Sequence, residues 1–223
     1  MKSKKVLSVC IPCAFICAAL AALFGLGTWF GFLPFPSFSS EQFGFCDLIS
    51  ENDADGDGTD DYADFVTGAR AFVSEKPLYK SEYYSGGYPP PGIGVCTDVI
   101  WSAFQEAGYD LKAMVDADIA SDPEAYGIKK PDPNIDFRRV VNLNVFFSRH
   151  AVSLTTALND PSSFMPGDIL IFDHHIALLS DKRNLYGFPY LIHHGGNYDY
   201  ETNGIAHDRI IAHYRFTGIE ESN

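Results

Sequence analysis

The apolar positions of this chain change their spacing part-way along, which predicts helices first and strands afterwards. In the first half, apolar residues recur three and four positions apart, the spacing of one face of a helix. The predicted helices cover residues 62–73, 96–107 and 111–120. Later, short apolar runs are bounded by glycine, proline and polar residues, which is typical of strands. The predicted strands cover residues 169–172, 175–179, 190–193 and 210–216. Helices followed by consecutive strands predict an α+β fold with an antiparallel sheet, while residues 140–149 fit a helix and a strand equally well.

The N-terminus has a different pattern. Lys2, Lys4 and Lys5 precede residues 6–33, which contain no charged residue and are long enough to span a hydrocarbon layer about 30 Å thick. Because basic residues stay on the cytoplasmic side, residues 1–33 predict one transmembrane helix with the rest of the chain outside the cytoplasm. A cleaved signal peptide is the alternative. Residues 34–52 then predict a linker, and residues 60–217 the main domain.

The charge of the chain excludes one class of partner. The formal net charge is −13, and no cluster of lysine or arginine interrupts the acidic composition. Nucleic acids are bound through basic patches, so no nucleic acid partner is expected.

An acidic stretch at residues 53–64 follows the spacing of a calcium-binding loop, with Gly58 at the position of the sharp turn. Carboxylate oxygens suit calcium, so we expect a structural calcium ion here. A solvated acidic segment is the alternative. The predicted ligands are Asp53, Asp55, Asp57, Thr59 through its carbonyl, Asp61 through a water molecule, and Asp64 where the motif usually has glutamate.

Cys96 is the candidate nucleophile. Two glycines, Gly92 and Gly94, precede it, and the predicted helix begins directly after them. The unpaired N–H groups at the start of a helix favour a thiolate, the reactive form of cysteine. Two alternatives stand beside this prediction: a buried structural cysteine, and a disulfide with Cys46. A free Cys96 is favoured because Cys46 lies in the predicted linker.

Histidines near the predicted strands supply a base. His175 begins one strand, where its imidazole can take the thiol proton and later protonate the leaving group. His193 ends the next strand and is the candidate to hold that imidazole in one tautomer, with His194 as the fallback. A zinc site is disfavoured because the usual ligand spacings are absent from the sequence, and no cofactor is expected for catalysis.

Further candidates surround the nucleophile. The backbone N–H of Cys96 can stabilise a developing oxyanion, with a phenol from the tyrosine-rich loop as a second donor. Asp98 can cap the helix start, and Arg138 or Arg139 can pair with a carboxylate. The predicted substrate contacts are Tyr83, Tyr88 and Asp98.

Several of these segments together resemble a bacterial family catalogued as domain of unknown function 1287. The resemblance also extends to the NlpC-type peptidases of the papain-like superfamily, in which a helix-starting cysteine follows a Tyr-x-x-Gly-Gly stretch. The residues that carry the resemblance to family 1287 are Gly94 to Val99, Asn134 to Val140, Pro166 to Asp168, His175 to Ala177 with Ser180 and Asp181, and Gly204 to Arg215. The residues that carry the NlpC-type resemblance are Tyr83 to Gly87, Cys96, Pro166 to Asp168, His175 to Leu178, and Ile192 with His193.

The resemblance implies a papain-like fold, with the nucleophile helix packed on an antiparallel sheet, and a cysteine peptidase or amidase of the cell envelope. Peptide stems of peptidoglycan are the expected substrate. The alternatives are a non-catalytic module that binds wall peptides, and an acyltransferase that uses the same cysteine and histidine.

Overall fold

The chain divides into two units, residues 1–36 and residues 37–223. The computed structural model describes residues 14–25, 36–196 and 200–218. In the first unit, residues 14–25 are helical. Across the described ranges, no helix has both the length and the apolar character needed to cross a bilayer. The predicted membrane segment also includes residues 1–13 and 26–33, which lie outside the described residues.

The second unit has the α+β architecture that the hydrophobic pattern predicts. Its helices are α1 (Asp61–Ser74), α2 (Cys96–Glu106), α3 (Leu111–Ser121) and α4 (Val140–His150). Its strands are β1 (Leu78–Tyr79), β2 (Ile93–Gly94), β3 (Val152–Ser153), β4 (Ile169–Ile171), β5 (Ile176–Arg183), β6 (Pro189–Ile192), β7 (Glu201–Thr202) and β8 (Ala212–Arg215). Six of them form one sheet in the order β3-β8-β4-β5-β6-β7, and every neighbouring pair is antiparallel.

Strand alternation divides the apolar residues of the sheet between two cores. Ile169 and Ile171 of β4 face the cluster that contains the buried residues of α1, α2 and α4. Leu170 of the same strand, with Phe172 just beyond it, faces a smaller cluster on the other side of the sheet. Successive side chains of a strand point to opposite faces, so the short apolar run fills both cores at once. The sheet is therefore buried on both faces along β4.

Helices α1 and α2 pack closely, and a glycine permits it. A Cβ atom added at Gly68 would lie 2.5 Å from the carbonyl oxygen of Ser102 and 2.6 Å from Cβ of Glu106. The hydroxyl of Ser102 donates a hydrogen bond of 3.1 Å to the Gly68 carbonyl. This contact fixes the position of the helix that begins with Cys96.

The expectation of a loose linker over residues 34–52 is wrong for its described part. Phe38 pairs with Arg183 of β5 through backbone hydrogen bonds of 2.9 and 2.8 Å. The fully buried guanidinium of Arg183 donates to the hydroxyl of Ser40 at 2.6 Å. A buried charge needs hydrogen-bond partners, and this segment supplies one. Residues 37–52 are thus part of the second unit.

Two differences between prediction and structure concern element type. Residues 140–149, which fitted helix and strand equally, are helical because Leu143, Phe146 and Phe147 all turn to the core at helical spacing. The glycine-rich segment before Cys96, predicted as a loop, contains β1 and β2, which pair in parallel with Tyr79 opposite Gly94.

Candidate active site

Cys96 is the first residue of α2, as predicted, and it sits at the junction between helix and sheet. Val95 before it is extended, and its N–H donates to the Asp98 carboxylate at 2.8 Å, which closes the first turn. Backbone N–H groups of Ile176, Thr97 and Cys96 itself act to lower the pKa of the thiol, so the sulfur lies within their reach. The sulfur therefore lies against both the start of α2 and the start of β5.

Burial changes the expected charge of this sulfur. Cys96 is 5% exposed. Burial raises the pKa of its thiol to about 11, although the three backbone N–H groups act in the opposite direction. The prediction that the helix start yields a resting thiolate is therefore wrong for the structure as described, because desolvation outweighs the donors. Cys96 and Cys46 are both free cysteines, with Cys46 exposed.

The start of β5 lies beyond the end of its pairing with β6. The β5–β6 register runs from Arg183 opposite Pro189 to Leu178 opposite Ile192, so Ile176 extends past it. Ile176 pairs on its other side with Ile171 of β4. The N–H that reaches Cys96 thus belongs to the point where the two strands separate.

Two histidines meet at this separation. His175 directly precedes Ile176, and His193 directly follows Ile192. Nε2 of His175 lies 2.8 Å from Nδ1 of His193, and Nε2 of His193 lies 2.9 Å from the hydroxyl oxygen of Thr202. The structure thus joins the two histidines that the sequence analysis assigned to the base and to its orienting partner.

The charge state of His193 sets the direction of these hydrogen bonds. Burial, and then the charges of His175 and His194, lower the pKa of His193 to about 3. A neutral His193 that donates through Nε2 to Thr202 has a lone pair on Nδ1, which accepts the Nε2–H of His175. Nδ1 of His175 is then the ring nitrogen that carries the basic lone pair.

Tyr79 is a site residue that the sequence analysis missed. Burial, and then the charges of Cys96 and Asp98, raise the pKa of its phenol, so the phenol lies within electrostatic reach of the sulfur. Its ring packs edge to face against His194, with centroids 5.1 Å apart. The pairing of Tyr79 with Gly94, two residues before Cys96, explains this position. A two-residue strand has no periodic signal in the sequence.

A buried ion pair holds the first turn of α2 in place. Arg138 donates to both oxygens of Asp98, at 2.8 Å from Nε and 2.7 Å from Nη2. The hydroxyl of Thr97 donates to the Arg138 carbonyl at 3.1 Å. Both charged side chains are almost completely buried. The contacts of Asp98 are those of a residue that positions Cys96; a contact with substrate stays a prediction.

Comparison with known proteins identifies the family. The family model described as "Domain of unknown function (DUF1287)" matches residues 66–216. The chain belongs to the DUF1287 family. It is also similar to the "Uncharacterized protein YijF" of Escherichia coli (strain K12), with 36% identity over 162 residues, which cover 67% of this chain and 78% of YijF. No solved structure matches the chain.

The predicted tyrosine contacts lie in the loop between β1 and β2 of this DUF1287 protein. Tyr83 is 59% exposed, and its hydroxyl contacts the Asp132 carboxylate at 3.2 Å and the Asn134 amide at 2.9 Å. Tyr88 packs against Trp101 and Phe137. The loop is therefore held in place by contacts of its own, and substrate binding by Tyr83 and Tyr88 stays a prediction.

A cavity of about 550 Å³ opens beside His175. It is lined by Phe172, Asp173, His174, His175, Asp208, Arg209 and Ile211. His174 lies at the rim of the cavity, and its side chain is 92% exposed. This cavity gives a ligand access to the His175 side of the sheet.

The Pro-Gly-Asp turn before β4 has a structural role in this family member. The buried carboxylate of Asp168 accepts hydrogen bonds from both Nε and Nη2 of Arg215 at 2.7 Å, and contacts Nε2 of His213 at 3.0 Å. Nδ1 of His213 contacts the Thr155 carbonyl at 2.8 Å. Both ring nitrogens of His213 are thus engaged in contacts with Asp168 and Thr155, and His213 is a structural residue.

The acidic loop folds as a tight turn in front of α1. Carboxylate oxygens of Asp53, Asp55 and Asp57 all lie within 4.8 Å of one another. Asp61 departs from the prediction, because one oxygen accepts the Ala54 N–H at 3.0 Å and the other accepts the Tyr109 hydroxyl at 2.6 Å. Asp61 is therefore engaged in tying the loop to the protein.

Proposed function

We propose that this DUF1287 protein is a cysteine hydrolase that cleaves amide bonds in peptides of the bacterial cell envelope. One observation carries the proposal. The sulfur of a helix-starting cysteine lies within reach of the backbone N–H of Ile176, next to His175, whose imidazole is hydrogen-bonded to His193. A nucleophile, a base and a group that orients the base are the parts that covalent amide hydrolysis requires.

The reaction follows from the tautomers. Nδ1 of His175 takes the proton of the Cys96 thiol as the sulfur attacks the substrate carbonyl carbon. The imidazolium then gives that proton to the leaving amine, so that the C–N bond breaks and a thioester on Cys96 remains. Water, deprotonated by His175, attacks the thioester, which releases the carboxylic acid and restores the thiol.

The surroundings suit this reaction. The neutral His193 accepts the Nε2–H of His175 in both charge states of that imidazole. The Tyr79 phenol lies within electrostatic reach of the sulfur, where it can donate to the oxyanion. Because burial keeps the resting sulfur protonated, the thiolate forms only as His175 takes its proton during attack.

The architecture supports a papain-like assignment, of the NlpC type. In the proposed arrangement, α2 presents its first residue to a strand of the antiparallel sheet, and the histidine precedes that same strand. The order along the chain, cysteine before histidine, agrees with this assignment.

The N-terminal sequence supports an envelope location. Three lysines precede 28 uncharged, mostly apolar residues, and the rest of the chain is acidic. A membrane-attached domain outside the cytoplasm would reach the peptide stems of peptidoglycan, which are the proposed substrate.

Digestion of purified sacculi tests the proposal. The full-length protein should release stem-peptide fragments, detected by mass spectrometry, and Cys96→Ala should release none. Cys46→Ala is the matched control, because it removes an exposed thiol and should leave the release unchanged. Equal release by wild type and Cys96→Ala would overturn the proposal. Transfer of the acyl group to an added amine, in place of hydrolysis, would assign an acyltransferase.

A second candidate, a module that binds wall peptides without cleaving them, is favoured by one observation. Cys96 is 5% exposed and burial raises its pKa, which are properties of an unreactive thiol. Wild type and Cys96→Ala would then retain stem peptides equally, and the peptides would be recovered intact from both.

A further inference from the structure

The loop before α1 has a feature that the proposed hydrolase does not use. Three aspartates of the loop, Asp53, Asp55 and Asp57, cluster in front of α1, and a fourth, Asp64, lies in the first turn of that helix. Three of them are exposed and the fourth is buried. We propose that these four carboxylates bind one Ca²⁺ ion, which fastens the loop to the end of α1.

The spacing of the exposed carboxylates fits the size of calcium. Oxygen ligands lie about 2.3–2.6 Å from Ca²⁺, so two ligands on opposite sides of the ion are at most about 5 Å apart. The three loop carboxylates each offer an oxygen within 4.8 Å of the others, which places all three within one such shell.

The buried carboxylate supplies the independent observation. Asp64 is 5% exposed, and within the described residues its Oδ2 has no hydrogen-bond partner. Asp64 lies three residues after Asp61, whose carboxylate accepts the Ala54 N–H of the loop at 3.0 Å, so the first turn of α1 is held against the loop. An unpaired carboxylate oxygen in a buried position is costly unless a cation meets it. Asp64 is thus placed to complete the shell from the helix side.

The loop backbone already has the shape that such a site requires. Asp53 accepts the N–H groups of Gly56, Asp57 and Gly58 at 2.8–3.1 Å, which curls the loop around this carboxylate. Gly58 has φ +96°, a conformation in which a side chain is strained. Little rearrangement would therefore accompany binding.

The site would stabilise the helix pair that carries the nucleophile. A Cβ atom added at Gly108, just beyond α2, would lie 2.8 Å from Cβ of Asp55, so the loop rests directly on the end of α2. The Tyr109 hydroxyl, in the same connection, holds Asp61 of α1 at 2.6 Å. Cys96 stands at the opposite end of α2, 11 residues or about 16 Å away. The ion would thus hold α1 against α2 without touching the reacting atoms.

Calorimetric titration of the full-length protein with CaCl₂ tests the site. One saturable site with a dissociation constant of about 10⁻⁴–10⁻³ M is expected, as in extracellular calcium modules. At a CaCl₂ concentration ten times the dissociation constant, Tm should rise by about 3–6 °C. Titration with MgCl₂ should give a dissociation constant at least about tenfold higher, because Mg²⁺ demands near-ideal octahedral geometry and gives up its water reluctantly.

Variants separate this site from general charge effects. Asp57→Asn should weaken calcium binding at least about tenfold, as expected on loss of a charged ligand. Asp64→Asn should also weaken it, while Tm without calcium stays equal or rises because a buried charge is gone. Glu124→Gln removes one exposed negative charge elsewhere and should bind calcium like wild type.

Two results would overturn the proposal. The first is no saturable binding up to 10 mM CaCl₂, a concentration on the order of ten times the weakest expected dissociation constant. The second is equal calcium binding by wild type, Asp57→Asn and Asp64→Asn. Far-ultraviolet circular dichroism confirms that each variant is folded. Because the readout is calcium binding, a negative result does not bear on the proposed hydrolase activity. Absence of hydrolysis, in turn, does not bear on the calcium site.

Discussion

The reactivity of Cys96 against pH is the property that the structure determines most sharply. Burial raises the pKa of its thiol to about 11, against about 8.5 for an ordinary cysteine. At pH 8 a thiol of pKa 11 is about 0.1% thiolate, whereas an ordinary one is about 20% thiolate. Reaction with iodoacetamide requires the thiolate, so this difference alone slows Cys96 by about 200-fold at pH 8.

The assay is alkylation of the full-length protein between pH 6 and 10.5, followed for the Cys96 peptide by mass spectrometry. The rate at Cys96 should rise about tenfold per pH unit and show no plateau below pH 10, because the thiolate fraction is still increasing. N-acetylcysteine, measured in parallel, should level off above about pH 8.5. The shape of the profile, and not the absolute rate, is compared, since burial also slows access to the sulfur.

A plateau below pH 8 would refute this reasoning. If His175→Ala then removed the plateau, a preformed thiolate–imidazolium pair would exist, and His175 would determine the pKa in place of burial. If burial determines the pKa of Cys96, the alkylation rate of His175→Ala should depend on pH in the same way as that of wild type.

Three further predictions concern stability, each measured by urea unfolding. Arg138→Met should lower the free energy of unfolding by about 3–5 kcal/mol, because Asp98 is left charged and buried, and Asp98→Asn in the same chain should restore part of the loss. His193 has a pKa of about 3 when folded and about 6.5 when unfolded. The unfolded chain alone therefore takes up a proton as pH falls below 6.5, so stability declines from pH 6.5 to pH 3 by on the order of 4 kcal/mol; His193→Asn should show a shallower decline. Gly68→Ala should cost about 1–3 kcal/mol, because its methyl group would meet Ser102; an unchanged urea midpoint would show that α1 and α2 can separate without penalty.

Local patterns predicted most of the fold. Three of the helices have apolar residues at helical spacing, and β4, β5, β6 and β8 are apolar runs bounded by turn residues, so both were visible in the sequence. The two-residue strand β7 was not predicted. Residues 140–149 were ambiguous because valines and phenylalanines suit both structures, and only packing against the core decides for a helix. The paired segments β1 and β2 are two residues each, too short for any period to appear.

The candidate site was predicted in identity but not in electrostatics. The helix start at Cys96 follows from local spacing, and the contact of His175 with His193 follows from their places at neighbouring strand ends. The burial of the sulfur depends on how β5, β1 and α2 meet, which no local pattern records. The same holds for Tyr79, which reaches Cys96 through a pairing that the sequence does not show.

The measurement that tests the central claim most directly is the mass of the protein during turnover. The full-length chain is mixed with purified peptidoglycan stem peptides, quenched in acid, and mapped by peptide mass spectrometry. The account predicts an acyl group bound as a thioester to the Cys96 peptide of wild type, and none in Cys96→Ala or His175→Ala. Cleavage of the peptides by Cys96→Ala at the wild-type rate, or intact peptides and an unmodified Cys96 after prolonged incubation, would contradict it.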